Sequence, residues 1–157
     1  MSERIIPDVI INTQIAASDP GTSAWVAANA GSGKTHVLAQ RVIRLLLDGC
    51  DPSTILCITF TKAAAANMAE RVFTTLGRWV TLGDDDLTAA IRATGVKSVG
   101  PKVLAQARSL FACALETPGG LKVQTIHALC TRLLQQFPFD HGQVVLVIDG
   151  LLVQVML

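Results

Sequence analysis

The sequence predicts an α/β fold in which helices flank a parallel sheet. Short apolar runs of strand length alternate with longer segments whose apolar residues recur at helical spacing. A glycine-rich turn joins the first of these runs to the first helical segment. The 157 residues suit one domain with a buried core, and a composition of 50% apolar and 16% charged residues argues against disorder.

Four segments have the length and composition of strands. Residues 24–28 are an apolar run that predicts a buried strand before the glycine-rich turn. Residues 55–60 are rich in β-branched side chains and predict a second strand. Residues 122–126 predict a third strand, and residues 144–148 fit a fourth. Helical segments separate the first three, as expected for parallel strands joined by crossover connections.

The helical segments follow from apolar spacing and from residues that begin or end helices. Residues 34–47 and 62–79 each carry one apolar stripe, and a short helix begins at the acidic residues 84–86. Pro101 suits the first turn of the next helix, and residues 127–137 predict the last one. The residues expected to face the core are Leu38, Val42, Leu45, Leu46, Met68, Val72, Leu76, Trp79, Leu104, Ala107, Phe111 and Ala114.

The glycine-rich turn has the pattern of a phosphate-binding P-loop, which is a small residue, four free positions and then Gly-Lys-Thr. Glycines let the backbone wrap a phosphate and direct its N–H groups inward, and the following helix adds the positive end of its dipole. The motif predicts binding of a nucleoside triphosphate, most simply ATP. The residues expected to bind it are Ala28, Asn29, Ala30, Gly31, Ser32, Gly33, Lys34 and Thr35.

Two of these residues carry the expected chemistry. The Lys34 ammonium would reach the β- and γ-phosphate oxygens, and the Thr35 hydroxyl would hold the Mg²⁺ that bridges them. A chance glycine turn before a helix is the alternative, but a strand before the turn and an amphipathic helix after it favour the P-loop. The motif by itself indicates a nucleotide and does not identify the reaction.

Overall charge and cysteine usage narrow the classes of protein. Thirteen basic residues nearly balance twelve acidic ones, so any contact with DNA must be local. The four cysteines show no metal-ligand spacing, and buried free thiols in a reducing cytoplasm are expected. No signal peptide is evident, and the apolar segment 144–157 is shorter than the roughly 20 residues that cross a bilayer. We therefore expect a cytoplasmic protein without membrane contact.

Three further stretches turn the P-loop into a resemblance to a family. Residues 12–17 contain Gln14, residues 55–65 end the second predicted strand, and residues 125–130 follow the third. Together they resemble the Q motif, motif Ia and motif Ib of UvrD/Rep-type superfamily 1 DNA helicases. Residues 24–38 and 133–139 look most like the AddA subunit of bacterial AddAB helicase–nucleases, which repair double-strand breaks. The resemblance implies an incomplete P-loop NTPase (RecA-like) domain, three-layered α/β/α, with an AddB-type nuclease partner in the full-length protein.

The resemblance also implies roles for particular residues. Gln14 matches the glutamine that recognises adenine, although a lone glutamine near the N-terminus is more often a solvated loop residue. The residues that would contact single-stranded or double-stranded DNA are Thr59, Phe60, Thr61, Lys62, Thr125 and His127. Simple strand-end, helix-cap and structural-histidine roles are the alternatives for these six. Arg41, Arg44, Arg71 and Arg78 are expected on solvated helix faces.

The sequence also departs from the family. Asn67 stands where the family usually has Glu, and no Walker B Asp-Glu, arginine finger or second RecA-like domain is recognisable. We expect residues 1–139 to be the N-terminal part of the ATP-binding domain. Residues 140–157 are expected to be a divergent apolar tail, as in a truncated or frame-shifted product. A compact P-loop kinase and a non-catalytic truncated product are the alternatives to a helicase segment.

Overall fold

The computed structural model describes residues 7–27, 29, 33–118, 120–136, 144–148 and 151–155. The chain divides into two compact units, Met1–Thr125 and Ile126–Leu157, which are described separately. Both helices and strands are present, and the first unit contains a parallel sheet. The predicted α/β class is therefore confirmed.

The first unit contains five α-helices and two strands among its described residues. In chain order these are α1 (Asp8–Ala17), α2 (Lys34–Leu47), a 3₁₀ turn (Pro52–Thr54), β1 (Leu56–Thr59), α3 (Lys62–Thr81), α4 (Asp84–Ala93), α5 (Pro101–Glu116) and β2 (Lys122–Thr125). Strands β1 and β2 pair in parallel, and Thr59 lies opposite Thr125 at their carboxyl ends. The connection between them runs through three helices, as parallel pairing requires.

Helix α3 lies at the centre of the first unit, because α2, α5 and both strands of the sheet pack against it. Its predicted stripe of Met68, Val72, Leu76 and Trp79 is no more than 2% exposed. Burial of four large apolar side chains along one face is the main hydrophobic contribution of this helix. The stripe predicted from spacing is confirmed.

The predicted faces of α5 and α2 agree with the structure to different extents. Ala107 and Ala114 of α5 are fully buried, and the Phe111 ring meets Phe73 edge-on with centroids 6.4 Å apart. In α2, however, Leu38 is 49% exposed, so this prediction is wrong. Helix α2 packs against α1, α3 and α5, and its buried stripe is rotated accordingly. The buried residues of α2 are Val37, Ala39, Val42, Ile43, Leu46 and Leu47.

The predicted first strand is not a strand in the structure. Residues 24–27 have no regular secondary structure, and Trp25 and Val26 are 95% and 42% exposed; Ala28 lies outside the described residues. An apolar run becomes a strand only where a neighbouring edge accepts its backbone hydrogen bonds. Within the described part of the chain, β1 and β2 pair only with each other, so this segment has no such edge.

The second unit contains α6 (Ile126–Gln135), β3 (Val144–Ile148) and β4 (Leu151–Val155). The predicted fourth strand is thus present as β3, but it pairs antiparallel with β4 instead of joining a parallel sheet. Ile148 lies opposite Leu151, which is the register of a two-residue hairpin loop. The Asp149-Gly150 dipeptide between them is a strong hairpin signal that our sequence analysis missed.

Two smaller expectations can be compared with the structure. All four cysteines are free thiols, as predicted, but Cys50 and Cys113 are exposed instead of buried. Burial raises the pKa of the Cys57 thiol, which keeps this side chain protonated and unreactive. Among the described residues, no helix has the length and apolar character needed to cross a membrane.

Replacing Leu76 by Ala tests the central position of α3. Leu76 is fully buried, so this change should lower the free energy of unfolding by about 2 to 5 kcal/mol. The matched control is Leu115→Ala, because Leu115 is 65% exposed and its loss should change stability by less than about 0.5 kcal/mol. Urea unfolding followed by far-ultraviolet circular dichroism measures both. Equal losses would contradict the burial of Leu76.

Candidate functional site

The start of α2 brings Gly33 and Gln14 together. Gly33 precedes the helix with a φ of 89°, in the left-handed region that favours glycine. A side chain at this position would also place its Cβ 3.0 Å from Nε2 of Gln14. Two independent constraints, one on the backbone and one on space, therefore require glycine as the last residue before α2.

The described part of the P-loop lies around the N-terminus of α2. Lys34 and Thr35 are exposed in the first turn, where backbone N–H groups have no partner within the helix. The Lys34 ammonium donates a hydrogen bond to the Asn29 carbonyl oxygen at 2.7 Å, so this side chain folds back over the loop. Ala28, Ala30, Gly31 and Ser32 lie outside the described residues.

Gln14 belongs to α1, a helix that our sequence analysis did not predict. Its side chain is half-buried, which argues against a solvated loop residue. The backbone around it is held by Arg41 and Arg44 of α2, whose guanidinium groups donate to carbonyl oxygens of residues 15–22. The expected solvated positions of these two arginines are therefore wrong. Arg71 and Arg78 are exposed as predicted.

A polar cleft of about 560 Å³ opens between α2 and α3 beside Thr35. Burial, together with the nearby Arg71 guanidinium, lowers the pKa of His36, so its ring is neutral at neutral pH. Our sequence analysis missed this cleft. The signal for it is the polar face of α3, where Asn67, Glu70, Arg71 and Thr74 follow helical spacing. The lining residues are Thr35, His36, Ala39, Gln40, Ile43, Asn67, Glu70, Arg71, Thr74 and Thr75.

The carboxyl ends of β1 and β2 form a second group of candidate residues. The Thr59 hydroxyl donates to the Thr61 carbonyl oxygen at 3.0 Å, and the Thr61 hydroxyl caps α3 by accepting from the Ala64 N–H at 3.1 Å. Phe60 is 71% exposed between them, and Lys62 is exposed at the first position of α3. This turn therefore combines an exposed ring, a cation and the start of a helix.

Thr125 and His127 differ from the β1 end in exposure and location. Thr125 pairs in register with Thr59, but it is only 8% exposed and offers little surface to a ligand. His127 is half-buried and lies in α6, in the second unit, where its carbonyl oxygen accepts a hydrogen bond from the Thr131 hydroxyl at 3.0 Å. The structure therefore brings Thr125, and not the whole predicted pair, beside residues 59–62.

Curated relatives of the chain share one name, which describes a subunit of an ATP-dependent helicase/nuclease. The chain is 35% identical over 134 residues to this protein from Latilactobacillus sakei, and the match covers 83% of the chain and 13% of the relative. The proteins of the same name from Levilactobacillus brevis and Pediococcus pentosaceus are 35% and 31% identical over 122 residues, 78% of the chain and 8% of each relative. The chain thus spans only 8% to 13% of these relatives.

No solved structure matches the chain significantly. The UvrD/REP helicase N-terminal domain family matches residues 11–151, which include both groups of candidate residues. This match extends past residue 139, the last position at which the sequence motifs were recognised. It covers most of the chain and agrees with the motifs quoted from the sequence. The chain therefore belongs to the UvrD/REP helicase N-terminal domain family.

Proposed function

We propose that this chain is the ATP-binding N-terminal part of an ATP-dependent DNA helicase, one component of a helicase–nuclease that acts in double-strand break repair. The observation that carries the proposal is the contact between Gln14 and Gly33 at the start of α2. It places a side-chain amide beside the residues that would hold a triphosphate. A P-loop kinase has no comparable support in the family match.

The N-terminus of α2 supplies the chemistry for a triphosphate. Its first backbone N–H groups and the positive end of its dipole attract anions, and Lys34 adds a full charge within reach of the same loop. On binding, the ammonium would exchange its bond to the Asn29 carbonyl oxygen for bonds to phosphate oxygens. Thr35 offers an exposed hydroxyl in the same turn, and this oxygen would hold Mg²⁺, which neutralises phosphate charge.

Gln14 would recognise the base. A carboxamide has both a donor and an acceptor, which matches the adjacent amine and ring nitrogen on the edge of adenine. The position of its amide against Gly33 puts the group that would read the base at one end of the phosphate-binding turn. The nucleotide class we propose is therefore an adenosine triphosphate.

We place the ATP-binding part, an incomplete RecA-like three-layer domain, at residues 1–139, with residues 140–157 as a divergent tail. The sequence contains no recognisable Walker B Asp-Glu or arginine finger. Those groups position the attacking water and stabilise the charge of the transition state. The chain by itself should therefore bind ATP and hydrolyse it negligibly. A DNA-repair role fits a cytoplasmic location and an AddB-type nuclease partner for the full-length protein.

We propose that DNA binds at the turn after β1. Phe60 presents an exposed ring on which a base can stack, and Lys62 presents a cation for a phosphate. Thr59 and Thr61 are already engaged in local hydrogen bonds, so their contribution would be to shape this turn. Thr125 lies beside Thr59 in the sheet, and His127 follows in α6.

Replacing Lys34 by Ala tests the nucleotide site. Loss of a charged hydrogen-bond donor should weaken binding of a fluorescent ATP analogue about tenfold to hundredfold. The matched control is Lys102→Ala, because Lys102 is an exposed lysine in the first turn of α5. Fluorescence titration with Mg²⁺ measures both. If the two variants bind equally, or if the unchanged chain binds no ATP, the proposed function is wrong.

Replacing Phe60 by Ala tests the DNA surface. Removal of a stacking ring should weaken binding of a thymidine oligonucleotide about fivefold to hundredfold, as measured by fluorescence anisotropy. Leu115→Ala removes an exposed apolar side chain from α5 and should leave DNA binding unchanged. An unchanged affinity of the Phe60 variant would exclude stacking at this turn, whatever the outcome for ATP.

A further inference from the structure

We propose that Arg41 and Arg44 are positioning residues that hold α1 in place and thereby set the preference of the site for adenine over other bases. This inference rests on the proposed function, because it concerns the orientation of Gln14 in the nucleotide site. Neither arginine would touch the nucleotide in this scheme. Both would act through the backbone of residues 15–22, which they bind from α2.

Arg41 bridges the segment that connects α1 to the P-loop. One of its terminal nitrogens donates to the carbonyl oxygen of Asp19 at 2.7 Å and lies 3.5 Å from that of Ala17. The other donates to the carbonyl oxygen of Thr22 at 2.7 Å. A planar guanidinium can bind several acceptors at once in fixed geometry, which the single ammonium of a lysine cannot reproduce.

Arg44 binds the C-terminal end of α1 itself. Its Nη1 donates to the carbonyl oxygen of Ile15 at 2.8 Å and to the Ser18 hydroxyl at 3.1 Å, and its Nη2 lies 3.5 Å from the Asp19 carboxylate. The last carbonyls of a helix lack partners within it and carry partial negative charge, so a cation there is favourable. The Arg44 side chain is only 11% exposed, which limits screening by solvent.

Gly95 brings a third element against α1. It follows α4 with a φ of 98°, and a Cβ at this position would lie 2.5 Å from Cγ2 of Ile15 and 3.2 Å from Nη1 of Arg44. Glycine therefore allows the loop to approach both residues closely. The same two groups, Ile15 and the Arg44 guanidinium, are thus confined from the side of α2 and from the side of this loop.

Polar contacts must carry most of the docking of α1, because the helix buries little apolar surface. None of its side chains that the structure describes is fully buried, and Val9, Ile10 and Ile11 are 76%, 46% and 40% exposed. Gln14 immediately precedes Ile15, whose carbonyl oxygen Arg44 binds. The position of the Gln14 amide against Gly33 therefore depends on these arginines.

The consequence is a separation of two recognition tasks. The triphosphate would be held by residues 33–35, which belong to α2 and to its buried face. The base would be read from α1, which the arginines hold. Loss of either arginine should therefore reduce discrimination between bases while leaving binding of the phosphate chain intact. A general loss of folding would weaken both equally.

The test compares Arg41→Ala and Arg44→Ala with Arg78→Ala, an exposed arginine of α3. ATP, GTP and inorganic triphosphate each displace a ribose-labelled ATP analogue from the chain in the presence of Mg²⁺. The unchanged chain and Arg78→Ala should prefer ATP to GTP by about tenfold or more, whereas the other two variants should keep less than about threefold preference. Their affinity for inorganic triphosphate should stay within about twofold of the unchanged chain.

Two further measurements separate positioning from stability. Hydrogen exchange of the α1 amides without nucleotide should accelerate in Arg41→Ala and Arg44→Ala and stay unchanged in Arg78→Ala. Gly95→Ala, which displaces α1 while keeping both arginines, should reduce base discrimination in the same way. If an alanine variant fails to fold, Arg41→Lys and Arg44→Lys decide the question, because they keep the charge and lose the bridging geometry.

The outcomes are distinguishable. If the unchanged chain prefers ATP and the arginine variants keep that preference, the positioning role is wrong and the proposed function stands. A parallel loss of ATP, GTP and triphosphate binding would also overturn the positioning role, because it indicates a structural defect. If the unchanged chain binds triphosphate without preferring adenine, the role of Gln14 fails and this inference fails with it.

Discussion

Burial of one face of α3 is the constraint on which the first unit depends. The stripe from Met68 to Trp79 is almost fully excluded from solvent, and α2, α5 and both strands of the sheet pack around it. The N-terminus of α3 directly follows the exposed ring of Phe60, while its polar face lines the cleft beside Thr35. Because protein interiors are close-packed, a shift of α3 would move the surroundings of both candidate sites together.

The two parts of the proposed nucleotide site depend on different forces. Helix α2 carries Lys34 and Thr35 and is fixed by apolar side chains such as Ile43 and Leu46, each 1% exposed. Helix α1 carries Gln14 and is fixed chiefly by hydrogen bonds from Arg41 and Arg44 to backbone carbonyl oxygens. Apolar burial is insensitive to direction, whereas these hydrogen bonds lose strength when their geometry changes. Recognition of the base is therefore the more easily altered of the two tasks.

Sequence reasoning succeeded where the signal was local. The stripe of α3 follows from helical spacing, and the P-loop and strand-end motifs identified the family that residues 11–151 match. It failed where a distant partner decides the outcome. The run around Trp25 has strand composition but no edge to pair with in the described chain, and β3 pairs with β4. The positions of Arg41 and Arg44 were also missed, because their acceptors are backbone carbonyl oxygens, which have no signature in side-chain composition.

On the proposed function, the chain holds and orients a nucleotide more than it converts one. Lys34 is engaged with the Asn29 carbonyl oxygen, so a triphosphate must be a better acceptor than this neutral oxygen, and its negative charge makes it one. The groups that would accelerate hydrolysis are not recognisable in the sequence, and relatives with the helicase/nuclease name are many times longer than the chain. Binding energy gained at α2 therefore contributes to affinity without lowering the barrier to hydrolysis, since only interactions that strengthen in the transition state raise the rate.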